Sequence, residues 1–265
     1  ILYGFRLTFQ DVMAVGTAGI MIDAIIVTVT ILGGIAIGRL LKMDRDIALL
    51  TSIGSGICGA AAVLGAEATM RTQPYKTAVA VATVVIFGTI AMFVYPIAYR
   101  SGILALSPDE MGIYAGSTLH EVAHAVGAGN AMGENIANVS IIVKMIRVML
   151  LVPVLLILGY WIALSARKSN TSAEKGKVAI PWFAIGFLAV IGFNSFGLLP
   201  QNIVDAINYI DTFLLTMAMA ALGAETSIDK FKKAGAKPFI LAAILFVWLI
   251  SGGWLLAKYV APALL

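Results

Sequence analysis

Apolar segments about as long as a lipid bilayer is thick follow one another along almost the whole chain. Residues 16–41, 77–99, 135–164 and 238–259 are each mainly apolar, and about 20 such residues in a helix cross the hydrocarbon core. Charged residues make up only 12% of the chain, whereas soluble domains carry about 25%. Helices satisfy every backbone N–H and C=O group inside a bilayer. The sequence therefore predicts an all-α fold, a polytopic transmembrane helical bundle.

The chain is predicted to form a single transmembrane domain over residues 1–265. The basic, polar stretch 165–177 is predicted to be a cytoplasmic linker between its two parts, because basic loops favour the cytoplasmic side. Since residue 1 already lies in apolar sequence, we expect further helices before it. Most basic residues stand at segment ends, so the net charge of +4 does not indicate a nucleic-acid partner.

Two further apolar segments, 46–70 and 108–132, are interrupted by small residues. We expect each to be a discontinuous or re-entrant helix, with a half-helix beginning near Ser55 in one and Ser117 in the other. The free N–H groups and the dipole at such a start favour an anion. The substrate-binding candidates in these segments are Gly54, Ser55, Gly56, Cys58, Gly59, Gly116, Ser117 and Thr118.

Internal repeats are visible along the chain. Residues 54–55 fall on 116–117 and residues 65–66 on 127–128 at one constant offset, and residues 33–34 fall on 252–253 at another. The orientation predicted from the basic segment ends makes the second repeat an inverted one. Inverted repeats with paired, glycine-interrupted segments are typical of secondary transporters that bind substrate near the bilayer midplane.

Two cations, Lys144 and Arg147, lie well inside the segment 135–164. They are three residues apart and so on one helix face. A cation within a span is costly and usually faces a cavity or a partner. We predict that both contribute to substrate binding. The alternatives are an ion pair with an intramembrane carboxylate, or an Arg147 side chain that extends toward the membrane surface.

The stretch His120-Glu121-x-x-His124 contains both histidines of the chain. On one helix it would match the zinc-peptidase motif, with two histidine ligands and a glutamate base. A longer form of the motif needs a third histidine where Asn130 stands, so we expect no metal and no cofactor. Intramembrane ionisable groups also serve proton coupling, and the candidates for that role are His120, Glu121, His124, Asp23 and Asp211.

Six motifs in order resemble the YeiH-like family of sulfate exporters. They are residues 2–9, 54–62, 77–88, 116–123, 144–149 and 218–223, and the resemblance covers essentially the whole chain. It implies a multi-pass protein of the bacterial inner (plasma) membrane. It also implies kinship with bile-acid symporters and proton antiporters, which have crossed discontinuous helices.

We therefore expect a secondary active transporter for a small inorganic oxyanion, sulfate or sulfite first, coupled to protons or to sodium. An intramembrane zinc metalloprotease and an uncoupled anion channel are the alternative hypotheses. Apart from the anion, the expected partner is the lipid bilayer, and the sequence also allows a homodimer.

Overall fold

The computed structural model describes residues 2–6, 8–14, 16–168, 182–225 and 235–264, and within these ranges the regular structure is helical. A 3-10 turn, Leu2–Arg6, opens the chain, and a π-helical turn, Leu256–Val260, lies near its end. The α-helices in chain order are α1 (Phe9–Ala14), α2 (Gly16–Leu40), α3 (Arg45–Gly56), α4 (Ala60–Met70), α5 (Pro74–Arg100), α6 (Pro108–Thr118), α7 (Val122–Met132), α8 (Glu134–Met149), α9 (Leu151–Lys168), α10 (Trp182–Ser195), α11 (Gln201–Glu225), α12 (Lys237–Leu255) and α13 (Ala261–Leu264).

Four helical stretches are long and apolar enough to cross a membrane: Thr17–Leu40, Pro74–Arg100, Glu134–Leu164 and Lys237–Ala263. They coincide with the four long apolar segments of the sequence. An all-α, polytopic membrane protein is therefore confirmed. The inverted repeat stays a prediction.

Both glycine- and serine-containing segments are interrupted. Residues 57–59, the first break, separate α3 from α4, and residues 119–121, the second break, separate α6 from α7. The prediction that half-helices begin near Ser55 and Ser117 is wrong, because these residues end α3 and α6. The helices that follow start only after Gly59 and Glu121.

Local backbone geometry explains the position of each break. Gly59 has φ +70°, a conformation that glycine adopts more readily than other residues, and it redirects the chain into α4. Leu119 and Glu121 are extended, with ψ 146° and 159°. The chain therefore leaves helical geometry for three residues at each place.

Helix α8 packs against α6, α7 and α2, and α3 lies against α2 and α5. A Cβ atom at Gly116 of α6 would lie 2.5 Å from the backbone oxygen of Ser140 on α8. Only a residue without a side chain allows these helices to approach so closely. This close packing brings both breaks to the polar residues of α8.

The segment 135–164 is helical on both sides of a turn at Leu150. Pro153 follows this turn, and because proline has no N–H it cannot donate to the carbonyl of Met149. Helix α9 continues to Lys168, so residues 165–168 of the predicted linker are helical. The rest of that linker, 169–177, lies outside the described residues.

Candidate functional site

Arg147 of α8 joins the C-terminal ends of two broken helices. Its Nε donates to the carbonyl of Gly56 at 2.7 Å and its Nη2 to that of Ser55 at 2.7 Å, both on α3. Its Nη1 donates to the carbonyls of Ser117, at 2.5 Å, and Leu119, at 3.1 Å. The side chain is completely buried. One guanidinium thus satisfies four carbonyls from both helix pairs.

Lys144, one turn earlier on α8, makes the same kind of connection. Its Nζ donates to the carbonyl of Ile57 in the first break at 2.9 Å and to that of Leu119 in the second. It too is completely buried. Because the last carbonyls of a helix have no partner within it and carry partial negative charge, the two cations stabilise both helix ends.

Lys144 and Arg147 both lie at the breaks, where they bind backbone carbonyls. This contact matches neither of the two alternatives considered for them, an ion pair with a carboxylate and an Arg147 side chain that extends toward the membrane surface. Among the described residues, neither cation forms an ion pair with Glu121, Asp23 or Asp211. Arg147 does not extend toward the membrane surface, because its guanidinium is held by backbone carbonyls in the interior. Two of three Lys144 N–H groups and four of five Arg147 N–H groups have carbonyl partners.

Glu121, in the second break, contacts α4, the helix that follows the first break. Its Oε1 accepts a hydrogen bond from the backbone N–H of Ala60, the first residue of α4, at 3.3 Å. A Cβ atom at Gly59 would lie 2.4 Å from the Glu121 Cγ, so only glycine leaves room for this carboxylate. Glu121 makes no side-chain hydrogen bond to its own helix, α7.

The hydroxyl groups proposed to bind substrate differ in what they contact. Thr118 Oγ1 donates to the carbonyl of Tyr114 and accepts a hydrogen bond from Tyr95 at 3.0 Å. Ser117 Oγ donates to the same carbonyl at 3.3 Å. Ser55 Oγ is buried and has no hydrogen-bond partner in the described part of the chain. Of the three hydroxyls, that of Ser55 is the one free to bind another group.

The two histidines do not share a helix. His120 lies in the second break and His124 in the first turn of α7, and both lie beside Gly88 of α5. His120 is buried, and neither of its ring nitrogens has a partner among the described residues. His124 Nε2 lies 3.5 Å from Thr89 Oγ1. Within the described ranges, no three His, Cys, Asp or Glu residues form a group that could hold a metal ion.

The two remaining carboxylates lie in different surroundings. Asp23 of α2 is completely buried, has no hydrogen-bond partner among the described residues, and interacts electrostatically with Arg147 and Lys144. Asp211 of α11 instead pairs with Arg6 at 3.4 Å. The structure therefore brings Asp23 to the candidate site and places Asp211 on a different contact.

Two tyrosines support the site and did not stand out in the sequence. The rings of Tyr95 and Tyr114 stack with centroids 4.7 Å apart, and the Tyr114 hydroxyl donates to the carbonyl of Ile250 on α12 at 3.0 Å. Together they hold the end of α6 through Thr118. A tyrosine within an apolar segment does not by itself indicate a site. Only their positions in the fold identify these two as residues that support it.

The chain is similar to known membrane proteins over nearly its whole length. The profile of the family described as Conserved hypothetical protein 698 matches residues 1–242. A UPF0324 membrane protein of Bacteroides thetaiotaomicron is 67% identical over 266 residues, covering 100% of this chain and 79% of that protein. The UPF0324 inner membrane protein YeiH of Escherichia coli K12 is 49% identical over 254 residues, covering 96% of this chain and 72% of that protein. No solved structure matches the chain significantly.

These similarities confirm the resemblance to the YeiH-like family and the expected location. The chain is a multi-pass protein of the bacterial inner membrane. By its sequence and its helices, it belongs to the Conserved hypothetical protein 698 family, the UPF0324 membrane proteins.

Proposed function

We propose that the protein is a secondary active transporter that moves a small inorganic oxyanion by alternating access, with sulfate or sulfite as the first candidates. The observation that carries this proposal is the meeting of two helix breaks at the buried residues of α8. Irregular backbone at membrane depth is tolerated where it is buried in protein or lines a cavity. Paired breaks of this kind form the substrate sites of many secondary transporters.

The polar groups of the site favour an anionic substrate. Helices α4 and α7 both start at a break, and neither Gly59 nor Glu121 caps its own helix with a side-chain hydrogen bond. Each start therefore presents backbone N–H groups and the positive end of a helix dipole. The hydroxyl of Ser55 and the ring nitrogens of His120 are buried without partners among the described residues and are further groups that an oxyanion could engage.

The charges of the site favour proton coupling. Lys144 interacts with two carboxylates, the half-buried Glu121 and the buried Asp23, and Arg147 interacts with Asp23. With both carboxylates ionised, the four formal charges cancel. Each proton taken up by a carboxylate leaves one more positive charge to balance an entering anion.

A thermal-stability screen of the purified protein tests this function. A ligand that binds only the folded state raises the melting temperature according to its affinity and concentration. We expect sulfate or sulfite to raise it, and chloride at equal ionic strength to leave it unchanged. If no sulfate, sulfite or sulfonate stabilises the protein and none binds in calorimetry, the proposal is wrong. Stabilisation by zinc that a chelator reverses would instead indicate a zinc enzyme.

A further inference from the structure

We propose that Glu121 is a tethered anion that occupies the N-terminus of α4, and that a transported oxyanion takes its place when the carboxylate binds a proton. This inference rests on the proposed function and adds its coupling step. Glu121 is then the carboxylate that competes with the substrate. The protein is a symporter, which carries the oxyanion and protons in the same direction.

The position of Glu121 is the first argument. Glu121 stands in the N-cap position of α7 without a side-chain hydrogen bond to that helix, and its side chain instead reaches the other break and accepts the N–H of Ala60 at 3.3 Å. Gly59 makes this possible, because any Cβ atom there would overlap the Glu121 side chain. The chain thus provides a fitted place for a carboxylate at the start of α4.

Buried, unpartnered groups in the residues that adjoin the breaks are the second, independent argument. Ser55, which ends the helix before the first break, and His120, which precedes Glu121, are both buried with unpartnered polar atoms within the described ranges. Buried polar atoms normally have hydrogen-bond partners. Unpartnered ones in residues that adjoin the two breaks are groups that a ligand with its own acceptor or donor atoms could engage.

Titratable groups near Glu121 belong to several elements. Lys144 of α8 attracts it, and the thiol of Cys58 in the first break is a further titratable group near it. Its neighbours further include His120 in the second break and His124 on α7. Like charges repel at short range in a medium of low dielectric constant. An ionised Glu121 and a sulfate dianion therefore compete for the N–H groups of α4.

Protonation resolves this competition. A proton from one side of the membrane binds the carboxylate and removes its charge, so that the anion replaces it at Ala60. When the anion leaves on the other side, the proton dissociates and the carboxylate returns to the N–H group. No bond other than the O–H bond of Glu121 forms or breaks, and each proton carried offsets one negative charge of the anion.

Sulfate binding to the purified full chain tests the inference. Sulfate keeps both negative charges between about pH 5 and about pH 8, so a change of its affinity in this range reports a proton bound by the protein. A Glu121 variant is needed to assign that proton to this carboxylate. In the wild type we expect the affinity for sodium sulfate to fall by up to about tenfold per pH unit as pH rises, the slope for one linked proton. In Glu121→Gln, which resembles the protonated form, we expect the affinity to stay high and this dependence to disappear.

Glu134→Gln is the matched control, because Glu134 is exposed at the start of α8, and it should retain the wild-type pH dependence. If Glu121→Gln does not fold, sulfate added to the weakly buffered wild type should still cause proton uptake from solution. Sulfate binding that is independent of pH in the wild type, or an unchanged pH dependence or a lost affinity in Glu121→Gln, overturns the inference and leaves the transporter proposal standing. Absence of sulfate and sulfite binding to both proteins at every pH overturns the transporter proposal itself.

Discussion

The guanidinium of Arg147 donates to the carbonyl of Gly56 at 2.7 Å, in the interior of the protein. The same side chain also reaches the end of α6. Arg147, 91 positions away in the sequence, thus supplies the hydrogen-bond donor for the last carbonyl of α3. Helix α8 holds both broken helices at fixed positions through its side chains, and the geometry of the breaks depends on that arginine.

Replacement of Arg147 should therefore strongly destabilise the protein. Arg147→Ala leaves the buried carbonyls of Ser55, Gly56 and Ser117 without this donor, whereas that of Leu119 keeps Lys144. Each buried acceptor left unpaired costs about 1–3 kcal/mol. Arg147→Lys should restore only part of this, because an ammonium cannot reproduce the planar fork of arginine. Thermal unfolding in detergent measures both effects.

Arg100→Lys is the matched control for this prediction. Arg100 is exposed at the end of α5 and donates to the carbonyl of Ala131. An exposed substitution of this kind should change the free energy of unfolding by no more than about 0.5 kcal/mol. Equal stability of Arg147→Lys and Arg100→Lys would show that the carbonyl contacts do not hold the breaks.

Substitution of Gly59 should separate backbone strain from the contact with Glu121. Gly59 and Gly102 both have positive φ, +70° and +76°, but only at Gly59 would a Cβ atom overlap another side chain. A non-glycine residue in such a conformation costs about 1–3 kcal/mol. We expect Gly102→Ala to show this strain alone and Gly59→Ala to lose more. Equal losses in thermal unfolding would mean that Glu121 moves aside at no cost.

Asp44 should give the protein a component of stability that is lost in acid. It caps α3 by accepting the N–H groups of Asp46 and Ile47, and Lys76 lies 2.9 Å from its carboxylate. Partial burial raises the pKa of Asp44, but the hydrogen bond and charge of Lys76 and the backbone donors outweigh it, so the pKa lies below its ordinary value of 3.8. The stabilisation is therefore complete above about pH 4 and is lost as pH falls through the lowered pKa.

The comparison of wild type with Asp44→Asn measures this component. Asparagine still caps a helix but carries no charge. The melting temperature of the wild type should exceed that of Asp44→Asn near about pH 7 and approach it near about pH 3. In Lys76→Met the difference should be smaller at every pH. A difference that does not change with pH would show that the charge of Asp44 does not contribute.

The membrane class and the presence of a break in each of two segments could be predicted from the sequence. Apolar length determines which segments can cross a bilayer, and small residues lie in or just before each break, at 54–59 and at 116–118. Which residues end one helix and which begin the next could not be predicted. Ser55 resembles a helix start by residue type, and only the backbone of Gly59 shows that the next helix begins later.

The partners of the intramembrane charges also lay beyond sequence patterns. Lys144 and Arg147 bind backbone carbonyls, and because every residue has a carbonyl, no residue type indicates which ones are available. Asp211 pairs with Arg6, 205 positions away in the sequence, so its separation from the candidate site follows from the packing of α11 on the first turn. Sequence spacing identifies residues on one helix face but not contacts between distant helices.

Counterflow of sulfate in vesicles that contain the purified protein tests the central claim of oxyanion transport most directly. Vesicles loaded with unlabelled sulfate and diluted into a trace of labelled sulfate should transiently accumulate the label above its equilibrium level, because an alternating-access site exchanges one anion for another. The rate should saturate with sulfate concentration, and protein-free vesicles should show no accumulation. Uptake no greater than that of protein-free vesicles, or a flux that neither saturates nor shows counterflow, would contradict transport through the site formed by the two breaks.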